Sequence, residues 1–153
     1  MRIAEFLSLK AVVADLSARS KPDIMRELAN AMAGAVPGLD TQRVLSVLEE
    51  REKLGSTGLQ DGVAIPHGKM AGLPGLVAAF GVSRGGVNFE SLDGRPTQLF
   101  FALVAPENSA GSHLKALARI SRLFKNPRFR ATILESSSAE EIYRVITEED
   151  ARA

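Results

Sequence analysis

Apolar positions along this chain change their spacing in steps, and each step marks a different kind of element. The opening stretch is mixed: a short apolar turn, then Ala11-Val12-Val13-Ala14, which suits a buried strand. Helical spacing takes over next. Ser20 with Asp23 has the form of a capping box, although Asp is shorter than the preferred Glu. Ile24, Leu28, Ala31 and Met32 then recur at helical intervals, and Gly34 offers a stop. Past the Pro37-Gly38 turn, Asp40 is placed to cap a second helix. Its apolar positions are Val44, Leu45, Val47 and Leu48, and it ends at Gly55. The two predict a helical hairpin.

The middle of the chain loses this period. Residues 55–75 carry Gly55, Gly58, Gly62, Gly68, Gly72 and Gly75 with Pro66 and Pro74, a density that predicts irregular surface backbone. Long loops of that kind inside compact domains are commonly functional. Residues 76–82 and 97–105 are unbroken apolar runs, as expected of strands covered on both faces. Between them, Val87-Asn88-Phe89 and Asp93-Gly94 predict a small hairpin excursion. Helical spacing then returns. Ser109 or Ser112 would cap a helix to about Lys125, with Leu114, Leu117, Ala118, Ser121 and Phe124 on one face. Asn126-Pro127 breaks it, and residues 128–134 and 139–147 read as two more helices. The fold class is therefore α/β: a mixed β-sheet sandwiched between helices on both faces, in a single domain over 1–153 without repeat or linker.

Composition narrows the chemistry. The 153 residues include no cysteine and only two histidines. That excludes disulfides, thiolate metal sites and cysteine nucleophiles. Titration near neutral pH is left to His67 and His113. The charge balance, 19 − 18 = +1, points to no nucleic-acid or membrane field. No signal-peptide pattern or membrane-length apolar run is visible, so a cytoplasmic location is the expectation.

Several residues invite a functional reading beside a plain one. His67 stands between Pro66 and Gly68, a frame that can present an imidazole at a fixed angle or simply hold a turn histidine. Arg51 follows Val44 and Leu48 at i+7 and i+3, which puts a guanidinium on the inward stripe. It either binds carbonyls at the helix end or reaches toward an anion. His113 begins a stripe with Leu117, Ile120 and Phe124. It is either a satisfied core histidine or an N–H donor beside the positive end of a helix. Gly55-Ser56-Thr57-Gly58 forms either an anion nest or a helix cap and turn. No Walker loop or dinucleotide fingerprint is present. Between Glu107 and Glu135 six bases occur without an acid: Lys115, Arg119, Arg122, Lys125, Arg128 and Arg130. They form a solvated face balanced by the acidic tail, or a patch for an acidic partner.

The run from Arg51 through Gly55-Ser56-Thr57-Gly58 to Gly62-Val63-Ala64-Ile65-Pro66-His67-Gly68 resembles the active-site signature of the EIIA domains of the fructose–mannitol branch of the bacterial phosphotransferase system. The resemblance extends from about residue 4 to 148, through Ser20-Lys21, the strand 100–106 and the helix opening at His113. Single-domain length and the Gly-Ser-Thr-Gly loop bring it nearest the nitrogen-related members, with a fructose EIIA as the rival. The resemblance implies that His67 accepts a phosphoryl group from an HPr-like phosphocarrier, with Arg51 and His113 beside the phosphate and Ser56, Thr57 and Gly58 in the phosphate loop. Asp61 stands where mannitol-type domains have a functional glutamate. Neither cofactor nor metal is implied. The partners implied are the donor and either regulated target proteins or EIIB, with no nucleic acid and no membrane insertion; the oligomeric state stays open. Leu59, Met70 and Leu73 would form an apolar rim for the donor.

Overall fold

The computed structural model describes all residues, 1–153. Two single-turn helices, Ile3–Glu5 and Leu9–Ala11, lead into strand β1 (Val12–Val13). Helices α1 (Lys21–Ala35) and α2 (Thr41–Lys53) follow, then strands β2 (Val63–Ala64), β3 (His67–Met70), β4 (Val77–Val87) and β5 (Thr97–Pro106). Helices α3 (Ala110–Phe124), α4 (Pro127–Glu135) and α5 (Ala139–Arg152) close the chain.

Four helix starts carry side-chain caps, but α3 does not: Ser109 stands at its N-cap with the hydroxyl donating to the Pro106 carbonyl at 2.7 Å, and Ser112 lies inside the helix. Ser20 Oγ accepts from the Asp23 amide at 3.3 Å and Asp40 Oδ1 from Gln42 at 3.2 Å. Asn126 Oδ1 accepts from Arg128 at 3.0 Å, and Ser138 Oγ from Glu141 at 3.1 Å. Two expectations shift. Asp23 is salt-bridged to Arg26, 3.3 Å away. Helix α1 runs through Gly34 to Ala35, because one glycine costs a helix only about 1 kcal/mol.

The sheet is mixed. Strands β4 and β5 form an antiparallel hairpin at its centre, pairing Phe80 with Phe101 and Val77 with Val104. Strand β1 lies parallel to β4 on one side. On the other side β2 and β3 both pair parallel to β5, Val63 opposite Leu99 and His67 opposite Leu103. Residues 88–96 are the connection of the hairpin itself, so the expected separate excursion is absent. Strand β4 continues past Val82 through an irregularity at Gly85-Gly86 before Val87 meets Thr97.

The glycine-rich stretch is more ordered than its composition predicts. Strands β2 and β3 are one edge strand interrupted at Ile65-Pro66. Pro66 has no N–H to contribute, but its carbonyl accepts from Leu103 at 2.9 Å. Gly68 is needed for packing: a Cβ there would stand 2.4 Å from Val47 Cγ1 and 3.1 Å from the Val47 carbonyl oxygen of α2. The glycine lets β3 lie against the helix.

Alternating side chains divide the core between two faces. Phe80 and Phe101 lie against Phe124 of α3, which contacts Phe129 of α4. Phe100, on the other face, packs edge-on against Phe89 at 5.2 Å, and Lys21 of α1 lies over that ring. Helices therefore cover both sides, as the apolar strand runs require. The buried stripe of α3 is His113, Ala116, Ile120, Leu123 and Phe124. It is rotated from the expected face, and Leu114 and Ala118 point to solvent.

Arg84 was not singled out by the sequence. Its guanidinium donates to the carbonyls of Leu134, Ala14 and Ser136 and to Asp15 Oδ1, joining β4 to the α4–α5 connection and to the end of β1. The basic helix face is also partly consumed. Arg119 Nε donates to Asp150 Oδ1 at 2.5 Å, and its Nη2 to the Asp150 carbonyl at 3.0 Å. Asp150 Oδ2 accepts from the Ile3 amide at 2.6 Å. The carboxylate is 1% exposed.

Candidate functional site

Three elements bring two imidazoles and a guanidinium to one place. His67 opens β3, directly after Pro66. Its Nδ1 lies 2.7 Å from the Ile65 carbonyl oxygen. A carbonyl can only accept, so in the neutral ring Nδ1 carries the proton and donates it. That leaves the lone pair on Nε2. Burial lowers the pKa of His67 and the Arg51 charge lowers it further, against opposing effects of the Ile65 carbonyl and Glu52. The neutral ring, with a nucleophilic nitrogen, is therefore the form present at neutral pH.

His113 comes from the first turn of α3, just beyond the end of β5. Its ring stands edge-on to His67, with centroids 5.5 Å apart. It is buried, and its Nε2 has no hydrogen-bond partner. A buried polar atom without a partner is uncommon and costly. Burial is again the main cause of a lowered pKa, followed by the neighbouring His67 and Lys69.

Arg51 meets the helix-end reading of the two the sequence left open. Its Nη1 donates to the Gly55 carbonyl at 3.0 Å, which ends α2. The guanidinium is also near enough to His67 to disfavour a second positive charge there. Its fork geometry suits an anion held between the two groups.

The Gly-Ser-Thr-Gly loop is bonded to the protein itself. Ser56 Oγ donates to the Phe89 carbonyl at 2.8 Å and accepts from the Gly58 amide at 3.0 Å. The Thr57 amide and hydroxyl donate to the two oxygens of Glu52 at 2.8 and 2.6 Å. Gly58 passes so close to Ser91 that a Cβ would lie 2.4 Å from its Oγ. As folded here, Ser56, Thr57 and Gly58 tie the loop down, and their polar groups are turned to these partners. Glu52, which does this tying, was not among the expected site residues. Its signal was its place inside the signature, next to Arg51.

Asp61 stands apart from the imidazole pair. It occupies a tight turn before β2 with φ of 63°, and its amide donates to Asp93 Oδ2 at 3.1 Å. It lines a cavity of about 350 Å³ with Leu59, Leu92, Phe124 and Lys125. Those last two residues lie at the far end of α3 from His113, and Asp61 precedes the edge strand whereas His67 lies within it. The expected rim is also revised. Met70 is buried, and Leu59 belongs to the Asp61 cavity. Leu73 is half-buried, while Leu54 and Leu114, near Arg51 and His113 in sequence, are exposed.

The pair of shifted imidazoles makes stability depend on pH. Both pKa values are lower in the folded chain than in the unfolded one. The unfolded chain therefore binds more protons below about pH 6.5, and folding weakens as pH falls through that value. The urea midpoint should be lower at pH 5.5 than at pH 7.5, and the double variant His67→Gln/His113→Gln should flatten the difference. An equal slope in that variant would contradict the assignment.

Comparison with known proteins places this geometry. The family described as "Phosphoenolpyruvate-dependent sugar phosphotransferase system, EIIA 2" matches residues 5–149. The chain belongs to this EIIA family. Within it, the chain is 40% identical over 146 residues to the nitrogen regulatory protein of Bradyrhizobium diazoefficiens, covering 95% of both chains. It is 34% identical over 150 residues to the fructose-specific EIIABC component of Bacillus subtilis, covering 98% of this chain and 24% of that protein. Among solved structures, nitrogen regulatory protein IIA-Ntr of Neisseria meningitidis superimposes with a TM-score of 0.88 at 39% identity, covering 95% of this chain and 99% of that one. This EIIA chain has no helix long and apolar enough to cross a membrane.

Proposed function

We propose that this EIIA protein is a phosphoryl carrier of the phosphoenolpyruvate-dependent phosphotransferase system, with Nε2 of His67 as the acceptor and a regulatory output of the nitrogen type. The observation that carries the reading is the bond between His67 Nδ1 and Ile65, which leaves the Nε2 lone pair free. The donor is an HPr-like protein carrying phosphohistidine. As the lone pair of Nε2 forms a bond to phosphorus, the bond from phosphorus to the donor's ring nitrogen breaks and its electron pair returns to that ring. No net proton is needed. Arg51 and the unpartnered Nε2 of His113, protonated in the matching tautomer, receive charge on the phosphoryl oxygens. Ser56, Thr57 and Gly58 act by shaping the loop. The regulatory output rests on the likeness to nitrogen regulatory proteins across nearly the whole chain.

The test is incubation with phosphoenolpyruvate, Enzyme I and an HPr-like donor. The expected product is an acid-labile, base-stable phosphate on Nε2 of His67, assigned from the ring nitrogens by NMR. Absence of label, or label on Nδ1, overturns the reading. The fructose-specific relative supports a second reading, in which the chain passes phosphate to an EIIB partner of a sugar transporter. Rapid onward transfer from His67 to a fructose-type EIIB distinguishes it.

A further inference from the structure

A carboxylate is an unexpected neighbour for a site that has to receive an anion. Glu52 follows Arg51 on α2, and its side chain is 6% exposed. Both its oxygens are in use. Oε1 accepts from the Thr57 amide at 2.8 Å and lies 2.9 Å from Lys21 Nζ, while Oε2 accepts from the Thr57 hydroxyl at 2.6 Å. Lys21, at the start of α1, also reaches Glu90 at 3.0 Å and sits 4.8 Å over the Phe89 ring. Ser56 closes the circle by donating to the Phe89 carbonyl. Four segments meet here: the start of α1, the end of α2, the loop 55–58 and the hairpin connection at 89–90.

We propose that the buried Glu52–Lys21 pair is a positioning device for the acceptor site, in which Glu52 fixes the loop after α2 and Lys21 cancels its charge toward the incoming phosphoryl group. The inference rests on the phosphoryl-acceptor reading of His67. Thr57 gives Glu52 two bonds, so the loop that supplies the Gly55 carbonyl to Arg51 is held in place. An anion at that spot without its cation would oppose a phosphoryl group. Burial disfavours the charge on Lys21, but its hydrogen bonds to Glu52 and Glu90 outweigh this and raise its pKa, so the cancelling cation is present throughout the neutral range.

The charges around the two imidazoles are few and can be named. Arg51 and Glu52 of α2 act on His67 through their charge, and His113 of α3 stands edge-on to it. Lys69, on β3 itself, acts on His113. Lys21 stands behind Glu52 from α1. Removing either member of the pair should therefore move His67 in opposite directions.

NMR titration of the His67 ring in the full chain tests this without any phosphoryl donor. In Glu52→Gln, which keeps the shape and loses the charge, the His67 midpoint should fall by about 0.5 pH unit. In Lys21→Met, which uncovers the Glu52 charge, it should rise. The double variant should return close to the parent value. Phosphoryl uptake should slow roughly tenfold in Lys21→Met and recover in the double variant. A purely structural pair would give neither opposite shifts nor recovery. Shifts of one sign, or no return in the double variant, overturn the proposal even if the parent chain is labelled. Opposed shifts in a chain that takes no label would instead sink the carrier reading alone. If Lys21→Met does not fold, Lys21→Gln serves in its place, with the same signs expected.

Discussion

His67→Ala should abolish phosphoryl uptake, whereas His113→Ala should still be labelled to completion at a rate about 100-fold lower. The asymmetry follows from the two rings' surroundings. His67 has its proton fixed at Nδ1 by Ile65 and its lone pair free. His113 has an unpartnered buried nitrogen, suited to donate to an oxygen rather than to attack. Losing the acceptor removes the bond that is to be formed. Losing the donor removes stabilisation of the transferring group, and Arg51 stays in place. A time course with radiolabelled phosphoenolpyruvate in each variant separates the two. Full labelling of His67→Ala would mean that the acceptor lies elsewhere. Equal, complete loss in both would mean that the rings act as one unit.

Asp150→Ala should cost about 3 kcal/mol of stability and lower the melting temperature by roughly 10 °C, with the rest of the fold unchanged. Asp150 is the most deeply buried carboxylate of the salt bridges, and it holds both Arg119 and the Ile3 amide. Truncation strands a buried N–H and leaves a partly buried guanidinium without its anion. Arg152→Ala, which loses only an exposed pair with Glu149, should change stability by less than about 0.5 kcal/mol. Thermal denaturation of the two variants beside the parent decides it; equal midpoints for both would show that the buried contact adds nothing.

Local rules account for the parts of the molecule that were readable in advance. Ser20 and Asp40 sit where a side-chain oxygen meets free amides, so two helix starts could be found from short-range patterns; Asn126 and Ser138 do the same for α4 and α5 without being read as caps. The runs before and after the hairpin connection are apolar on both faces, which placed β4 and β5. His67 was marked by Pro66 and Gly68, and His113 by the stripe it begins. The missed features depend on residues distant in sequence. Strands β2 and β3 are short and glycine- and proline-rich, and they exist because β5 offers a free edge some 36 residues along (63 to 99, and 67 to 103). The Ser56 hydroxyl looked available for an anion, but its acceptor is Phe89, across the hairpin connection. Asp61 fitted a family position, yet it sits in the turn before β2, with Phe124 and Lys125 at the far end of α3 from His113.

The sheet order has a kinetic side. Strands β4 and β5 are joined through residues 88–96, so their pairing closes a short loop and can form early. The edge that carries His67 pairs with β5 only after the chain has closed a much longer circuit, and the loop 55–58 is fastened through Phe89 and Lys21 only after α1 has docked. On this topology the proposed acceptor is expected to assemble late, on a centre already built. A chain whose edge has locally opened would lose the His67–His113 geometry while keeping its central hairpin, so phosphoryl uptake at the proposed acceptor would report on completion of the fold.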